Sequence, residues 1–509
     1  MRILVFHGYL LGGTGSNVYN ARLAAALVRA GHEVHLLCQD RDPFEQEWVD
    51  AAGDWDGGEL VLETRSEPAR ATIYRPDLGG LLPVYVPDRY DGIEARPFPE
   101  LSDAEVENYL ERNVAAVREV AERARPEVAL ANHLVMGPVV LARALAGLDI
   151  PYAVKVHGSA LEYTVKPHER FLPYAREGLA PARAVLVGSR HTAESLWAAM
   201  EDPELERRTR LGPPGVDIEQ FGPREPAAAR AGLGALVERV RAAPAGTAGS
   251  SFARDPEAAA DALAGLDPDG DRLVVFVGKL IASKGAELLL AAWPLVLARV
   301  PAARLVVVGF GGFRAGLEQL AADLARGDLA SARATRGEHG EPLELLQAFL
   351  DGLNEAGAEE YTEAAAALPA RVTWVGRLEH DELADLLPAA EALVVPSTFP
   401  EAFGMVAAEA AACGALPVVA RHSGLAEVAE TLREVVPEAA RPLLAFTLGP
   451  QAVPDLGAAL RGWLEAPEPL RRAAREAMVA VTRERYSWEG VAKTVLAAAQ
   501  GRLDGLPSP

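Results

Sequence analysis

The chain has 509 residues, half of them hydrophobic, which is enough material for roughly two to four domains with cores of their own. Its 50 Lys and Arg residues against 72 Asp and Glu residues give a formal net charge of −22. A surface this acidic repels phosphate backbones and anionic lipid headgroups, so nucleic acid and membrane partners are not favoured. The chain has only two cysteines, Cys38 and Cys413, which are far apart in sequence, so a disulfide framework and a thiolate metal cluster are excluded. We expect a reducing, cytoplasmic setting.

Short apolar runs alternate with helical patterns through residues 1–222. The apolar runs lie at 3–6, 33–37, 81–86, 128–132, 152–158 and 184–189, and the helical patterns lie at 16–30, 103–124, 137–147 and from about 190. This alternation predicts a parallel sheet covered by helices on both faces. We interpret the opening MRILVFHG as a buried strand and not as a signal peptide, because His7 interrupts the apolar run and no small-residue cleavage site follows.

The rest of the chain predicts a second domain of the same kind. Residues 223–270 are rich in Ala, Pro, Gly and Ser and indicate a linker with an insertion. Residues 271–480 again alternate strand and helix patterns, with a polar, charged insertion at 327–370, and predict a doubly wound domain. Residues 481–509 are expected to form a C-terminal helix that crosses back to the N-terminal domain, followed by a tail.

Ligands of open parallel sheets bind beyond the carboxyl ends of the strands, so the loops there are the candidate sites. The first is GGTGSNVY at 12–19, where Gly13 and its neighbours would let the backbone approach a ligand at the start of a helix. A tight turn would explain these glycines equally well. A dinucleotide fingerprint is disfavoured, because Val18 stands where the third glycine of G-x-G-x-x-G belongs.

The second candidate is VGKLIASKG at 277–285, which carries two of the five lysines in the chain. Ammonium groups are compact charges suited to binding a diphosphate, and in a chain that otherwise uses arginine we favour this role over a solvated surface pair. A P-loop is disfavoured, since no glycine stands four residues before a Gly-Lys-Ser/Thr.

The third candidate, PEAFGMVAAE, follows a predicted strand at 392–397. Glu401 and Glu409 frame the start of a helix, so they could accept hydrogen bonds from hydroxyl groups while the N–H groups at Phe403 and Gly404 bind phosphate. The spacing alone arises often by chance in a Glu-rich chain, but the position after a strand strengthens it.

The fourth candidate is His157, which ends the strand KVHG in the first domain and would face a cleft between the domains. A structural role is the alternative for a lone histidine. His32 and His35 make a poor metal pair, because residues three apart on a strand point to opposite faces. We therefore expect no metal site.

Taken in this order, these loops resemble the retaining nucleotide-sugar glycosyltransferases of family 4, whose GT-B fold has two facing Rossmann-like doubly wound domains and an interdomain cleft. VGKLIASKG is similar to the family's V-G-R-L…K-G, and PEAFGMVAAEAAACGALPVVA is similar to E-G-F-G-L…E-A-M-A-C-G-x-P-V-V-A. PGVD with Phe221, the final YSW and the loop SNVY are also family-like, SNVY resembling a loop of the members that glycosylate inositol phosphate. The resemblance leaves out 223–270, 327–370 and the tail.

The resemblance implies a role for each matching residue. Lys279 and Lys284 would bind the donor diphosphate, and Glu409 would accept hydrogen bonds from the ribose hydroxyls. His157 would lie beside the anomeric carbon. The remaining implied donor contacts are Gly13 at the phosphates, Arg377 at the base, and Glu401 with the backbone of Phe403, Gly404 and Met405 at the sugar. The implied catalytic residues are His157, Lys279, Lys284 and Glu401.

Two residues depart from the family pattern. Lys279 replaces the usual arginine and loses its bidentate fork. Ser423 precedes Gly424 where the family often has Gly-Gly.

We predict a retaining glycosyltransferase that moves a sugar from a nucleoside-diphosphate sugar to a small polar or saccharide acceptor bound by the N-terminal domain, without a metal cofactor. Two alternatives stay open. One is another GT-B enzyme, such as a nucleotide-sugar epimerase or a disaccharide phosphorylase, and the other is a non-catalytic nucleotide-sugar binding protein. The sequence does not identify the donor base, the donor sugar, the acceptor or the oligomeric state.

Overall fold

The computed structural model describes residues 1–86, 94–244 and 254–509. These residues form two compact units, each built around its own sheet. The first unit consists of Met1–Gly215 together with Tyr486–Pro509, and the second consists of Val216–Arg485. The predicted pair of Rossmann-like parallel-sheet domains is confirmed.

The first unit contains a nine-stranded sheet that is parallel except at one edge. From one edge to the other, its strands are Thr209–Leu211, Ala184–Val187, Tyr152–Val156, Val128–Asn132, Arg2–Phe6, Glu33–Leu37, Ala71–Arg75, Ala51–Asp56 and Glu59–Thr64. Its α-helices are Gly15–Arg29, Asp103–Ala124, Gly137–Ala144, Leu172–Leu179, Arg190–Met200, Pro203–Arg208 and Trp488–Ala499. The central strands are buried along their length because helices cover both faces.

Four strands of this sheet were not predicted, and one of them is the short edge strand Thr209–Leu211. Ala71–Arg75 and Ala51–Asp56 extend the parallel sheet, and Glu59–Thr64 pairs antiparallel with Ala51–Asp56 around Gly57 and Gly58. The last strand is exposed along most of its length, so it lacks the apolar run used to find the others. The predicted strand 81–86 is shorter, Leu81–Val84, and pairs with Glu94–Pro97 outside the main sheet.

The last helix, Trp488–Ala499, packs into the core of the first unit. The Trp488 side chain is buried, and its ring centroid lies 5.5 Å from that of Tyr19 on the helix Gly15–Arg29. Gly215 lies against the same indole ring, since a Cβ built there would come within 2.5 Å of it. The two chain segments of this unit are therefore joined through buried aromatic packing.

The second unit contains a six-stranded parallel sheet with helices on both faces. Its strands, in spatial order, are Val372–Gly376, Ala303–Val308, Arg272–Val277, Ala392–Val395, Leu416–Ala420 and Ala445–Phe446. Its α-helices are Pro226–Ala242, Pro256–Ala264, Ala286–Leu297, Arg314–Ala325, Leu329–Ala334, Glu344–Asp351, Glu355–Ala365, Leu368–Arg371, Leu383–Leu386, Met405–Cys413, Ser423–Val435, Ala452–Leu464 and Glu468–Arg485.

Both stretches that stood outside the family resemblance form helices of the second unit. Pro256–Ala264 contacts the edge strand Val372–Gly376, and Pro226–Ala242 contacts the short helix Leu383–Leu386. The stretch 327–370 forms four helices, among them the predicted one, Glu344–Asp351. Within the described part of the chain, no helix is both long and apolar enough to cross a membrane.

Candidate functional site

Two neighbouring strands of the second unit bring Lys284 and Glu401 together. Lys284 follows Arg272–Val277 and Glu401 follows Ala392–Val395, and these strands pair in parallel, so their carboxyl ends meet at one edge of the sheet. The Lys284 ammonium forms an ion pair with Glu401 Oε1. Ser397 Oγ donates a hydrogen bond of 2.6 Å to the same oxygen. We call Lys284, Ser397, Glu401 and Ser423 the Lys284 cluster.

The Lys284 cluster holds Glu401 as a carboxylate. Burial alone would raise the pKa of the Glu401 carboxyl, but the Lys284 charge and the hydrogen bonds from Lys284 and Ser397 outweigh it and hold the pKa below its ordinary value. The Glu401 backbone N–H also donates to Ser423 Oγ at 2.9 Å. Glu401 is therefore charged at neutral pH and fixed at both its side chain and its backbone.

Two glycines allow the loops of this cluster to approach each other. Gly285 has a φ of +68°, and a Cβ built there would lie 2.0 Å from the carbonyl oxygen of Pro396. Gly424 is equally confined, because its Cβ would lie 2.4 Å from the Cα of Phe403. Ser423, noted above as a departure from the family pattern, supplies the hydroxyl that accepts from Glu401.

The helix Met405–Cys413 begins directly beside the Lys284 cluster. Gly404 is its N-cap residue in a left-handed conformation, with φ of +117°. The first N–H groups of a helix have no partner within the helix and carry a partial positive charge. Lys279 is half-buried on the same loop as Lys284. A cation, a fixed carboxylate and a helix N-terminus are thus gathered at the edge of one sheet.

Glu409, one turn into this helix, is paired with a histidine that the sequence analysis did not identify. The Glu409 side chain is only 1% exposed, and its Oε1 lies 2.7 Å from Nε2 of His380. Its Oε2 has no hydrogen-bond partner among the described residues. The ring of His380 lies 5.0 Å, centroid to centroid, from that of Phe221. Because 29 residues separate His380 from Glu409, no local spacing could have indicated this pair.

Arg377 lies on the loop after the strand Val372–Gly376, as predicted. Its guanidinium donates a hydrogen bond to the Glu379 carboxylate and lies 6.0 Å from the ring centroid of Phe310. Burial lowers the pKa of Arg377, opposed by the nearby charge of Glu379. The loop that carries His380 is held by Glu382, whose carboxylate accepts from the backbone N–H of Glu379 at 2.6 Å.

The two additional stretches of the second unit contact the candidate site loops. Arg254, from the first stretch, donates to Glu382 at 2.7 Å, and both side chains are buried. Glu338, from the second, accepts from the backbone N–H of Ala282 at 2.8 Å, on the loop that carries Lys279 and Lys284. Burial, with the charges of Glu338 and its neighbour Glu341, raises the pKa of Glu287 to about 8.

In the first unit, three imidazoles meet at the carboxyl ends of adjacent strands. The ring centroid of His133 lies 5.6 Å from that of His7 and 5.0 Å from that of His157. His157 Nε2 lies 2.8 Å from Asn132 Oδ1. Because the amide nitrogen of Asn132 donates to the carbonyl of Phe6, its oxygen is an acceptor and His157 Nε2 carries the proton. Only His157 of these three was predicted as a site residue.

All three imidazoles are neutral at pH 7. Burial lowers the pKa of His7 to about 4, and burial with repulsion from neighbouring groups holds the pKa values of His133 and His157 well below the ordinary value. Lys155, whose Nζ donates to the carbonyl of Gly212 at 2.6 Å, has its pKa lowered by burial to about 7.

The structure places Gly13 and His157 in the first unit and the other predicted site residues in the second. Gly13 is exposed on the loop before Gly15–Arg29 with φ of +89°, a conformation that favours glycine. Among the described residues, no group of three or more His, Cys, Asp or Glu side chains is arranged to hold a metal ion.

Comparison with known protein families assigns both units. The model described as Glycosyltransferase Family 4 matches residues 13–220, and the model described as Glycosyl transferases group 1 matches residues 351–475. With the two parallel-sheet units, these matches define the class as GT-B glycosyltransferases. The chain belongs to the glycosyltransferases of family 4 type, which confirms the resemblance found in the sequence.

Curated relatives match parts of the chain. A D-inositol 3-phosphate glycosyltransferase of Segniliparus rotundus is 29% identical over 58% of this chain and 47% of the relative. A protein of the same name from Nocardioides is 29% identical over 80% of this chain and 76% of the relative. A glycogen synthase of Mycobacterium tuberculosis is 36% identical over 26% of this chain and 30% of the relative. The chain thus spans about half the length of the first of these relatives.

Solved structures share the fold along the whole chain. Sucrose-phosphate synthase from Thermosynechococcus elongatus superposes with a TM-score of 0.58 at 22% identity, covering 99% of both chains. The Anabaena protein HepE, in complex with UDP and glucose, superposes with a TM-score of 0.57 at 15% identity, covering 98% of this chain and 99% of HepE. At these identities the likeness concerns the fold.

Proposed function

We propose that the protein is a retaining glycosyltransferase that moves a sugar from a nucleoside-diphosphate sugar to a small polar or saccharide acceptor. The Lys284 cluster carries this proposal. Its cation and the adjacent helix N-terminus suit a diphosphate, and its fixed carboxylate suits the hydroxyl groups of a sugar. HepE was solved with UDP and glucose, which supports the donor class. Relatives named D-inositol 3-phosphate glycosyltransferase and glycogen synthase support a phosphorylated polyol or a saccharide as acceptor.

In this proposal the residues of the second unit divide the donor between them. Lys279 and Lys284 neutralise the charge that develops on the leaving diphosphate, where preorganised cations contribute most. Glu409 accepts from the ribose. The other donor contacts are Glu401 and the backbone of Phe403, Gly404 and Met405 at the sugar, Arg377 at the base, and Gly13, from the first unit, at the phosphates.

His157 has a different proposed role, beside the anomeric carbon. A neutral imidazole suits that place, because positive charge develops on the sugar and an imidazolium would repel it. The lowered pKa of His157 keeps the ring neutral at the pH of the cytoplasm, the setting that the composition favours. We expect His157→Ala to lower kcat more than donor affinity, since the interaction strengthens in the transition state.

The experiment that tests the proposal measures transfer and stereochemistry together. Purified protein is incubated with UDP-, GDP- and ADP-sugars and with inositol phosphate, glucose phosphate or oligosaccharide acceptors, in EDTA, and the anomeric proton of the product is followed by NMR. We expect the configuration of the donor to be retained and activity to persist in EDTA, because the two ammonium groups supply the positive charge. An inverted product, or activity that EDTA abolishes and Mg²⁺ restores, contradicts this mechanism.

The same experiment separates the alternative functions. Donor turnover that needs no acceptor supports an epimerase, and sugar-phosphate formation from a disaccharide and phosphate supports a phosphorylase. Donor binding without transfer to any acceptor supports a binding protein.

Site variants test the assignment of the diphosphate. Lys284→Ala should weaken binding of nucleoside diphosphate by about tenfold to a hundredfold, the value of a charge-assisted hydrogen bond. Lys279→Arg should be tolerated better than Lys279→Ala. If both alanine variants bind nucleoside diphosphate like the wild type, the diphosphate lies elsewhere.

A further inference from the structure

We propose that His380 is a specificity-determining residue, which orients the Glu409 carboxylate so that the site prefers a ribonucleoside diphosphate over its 2′-deoxy counterpart. The inference rests on the proposed function and extends it to a residue outside the motifs of the family resemblance. His380 acts through Glu409 and is therefore a positioning residue.

The first observation is the unequal environment of the two Glu409 oxygens. Oε1 lies 2.7 Å from His380 Nε2, and Oε2 is buried without a hydrogen-bond partner among the described residues. A buried carboxylate oxygen left unpaired is costly, so a ligand that donates a hydrogen bond there is favoured. A carboxylate oxygen only accepts, so the donor it fits is a hydroxyl or an N–H group.

The second observation is that His380 is itself held in place. Its ring packs against Phe221, which is 1% exposed, with centroids 5.0 Å apart. Its loop is fixed by the buried pair of Arg254 and Glu382, and Glu382 accepts from the backbone N–H of Glu379. The donor nitrogen of His380 therefore meets Glu409 in one fixed geometry, which is what a positioning residue requires.

The consequence for the ligand follows from hydrogen-bond capacity. With Oε1 engaged by His380, the carboxylate cannot turn freely, and Oε2 stays directed to accept from the vicinal hydroxyls of a ribose. A 2′-deoxyribose lacks one of the two donors and leaves acceptor capacity unsatisfied in a buried position. Sites built to bond a hydroxyl discriminate strongly against the analogue without it. Without His380, the carboxylate is released and this discrimination weakens.

The experiment compares two nucleotides that differ by one oxygen. Whichever of UDP, GDP and ADP the wild type binds best is titrated calorimetrically beside its 2′-deoxy counterpart. The variants are His380→Phe, which keeps a ring against Phe221 but removes the donor, and His380→Gln, whose amide can donate. His168→Phe, a change of the same kind at an exposed position of the first unit, is the matched control.

We expect the wild type and His168→Phe to prefer the ribonucleotide by about tenfold or more, in line with one hydrogen bond to a charged acceptor. His380→Phe should bring the ratio close to one, chiefly by weakening the ribonucleotide, and His380→Gln should restore most of it. Inorganic pyrophosphate, which has no ribose, should bind all four proteins equally and so shows that the variants are folded.

Two results overturn the inference alone. The first is an unchanged preference in His380→Phe, and the second is an equal loss of both nucleotides and of pyrophosphate, which marks a structural role. A wild type that binds none of the three ribonucleotides overturns the proposed function itself, and the inference with it.

Discussion

Replacing Lys284 with methionine should destabilise the second unit measurably, even without any ligand. The change removes the cation from a pair whose side chains are 31% and 23% exposed, and it leaves the Glu401 carboxylate without its counter-charge. Exposed ion pairs contribute about 0–1 kcal/mol, and removing one partner of a fully buried pair costs about 3–5 kcal/mol. The intermediate exposure places the loss in the free energy of unfolding at about 2 kcal/mol.

The loss of stability in Lys284→Met should depend on pH. In the wild type, the folded-state pKa of Glu401 lies below the unfolded value, so its stabilisation is present at pH 7 and is lost only as the pH falls through the folded-state pKa. In Lys284→Met the effect of burial prevails and raises that pKa above the unfolded value. The variant then gains stability as the pH falls and the carboxyl takes up a proton. Its deficit relative to the wild type should therefore be smaller at pH 5 than at pH 7.

Scanning calorimetry of the whole chain at both pH values measures the effect. A loss of about 2 kcal/mol lowers the Tm of a unit of this size by about 4–8 °C. Arg207→Met is the control, because it breaks a helical pair with Glu204 whose side chains are 75% and 65% exposed, and it should cost less than about 1 kcal/mol. The double variant Lys284→Met, Glu401→Gln should recover part of the loss. Equal deficits at pH 5 and pH 7, with no recovery in the double variant, would refute the reasoning.

Three further predictions concern residues around the same loops. Glu287→Gln should become more stable than the wild type as the pH rises from about 5 to 8, because the raised folded-state pKa of the wild-type carboxyl makes its ionisation unfavourable in the folded state. Denaturation series at several pH values measure the difference in the free energy of unfolding. A difference that does not change with pH contradicts the prediction. Gly285→Ala should lower the free energy of unfolding by about 2 kcal/mol or more, because of the positive φ and the clash of the new Cβ with Pro396. Gly340→Ala is the control, since its φ is +85° but no atom lies near the new Cβ, and it should lower the free energy of unfolding by only about 1 kcal/mol. Equal losses of Tm in the two variants would contradict the clash. Glu338→Ala should speed hydrogen exchange in the peptide 277–285, measured by mass spectrometry, and unchanged exchange would show that the second stretch does not hold this loop.

The sequence was informative where chemistry and secondary structure coincide locally. The loops with Lys284 and Glu401 were predictable because each follows an apolar strand, and parallel strands end at one edge of a sheet. The alternation of strands and helices predicted both sheets for the same reason. The strand Glu59–Thr64 was not predicted, because a strand at the exposed edge of a sheet does not need a run of apolar residues. Gly57 and Gly58 do mark the turn before it.

The parts that could not be predicted depend on contacts between distant segments. His7, His133 and His157 come from three strands, and only the order of those strands in the sheet brings their rings together. The pairing of His380 with Glu409 likewise depends on how a loop folds over a helix. Composition suggested a linker at 223–270, because an alanine-rich helix has the composition of a linker and only its tertiary contacts distinguish the two. Here Pro256–Ala264 packs on the edge strand Val372–Gly376, and Pro226–Ala242 packs on Leu383–Leu386.

The burial of Trp488 in the first unit has a consequence for how the chain folds during synthesis. The helix Trp488–Ala499 supplies core residues that pack against the helix Gly15–Arg29, which the ribosome makes several hundred residues earlier. The second unit, 216–485, is continuous and is complete before that helix emerges. Because domains fold as units during synthesis, the second unit can fold first. Until the last helix is made, the core of the first unit is incomplete and its apolar surface beside Tyr19 is uncovered. We therefore expect the nascent first unit to be more exposed to aggregation and to chaperones than the second.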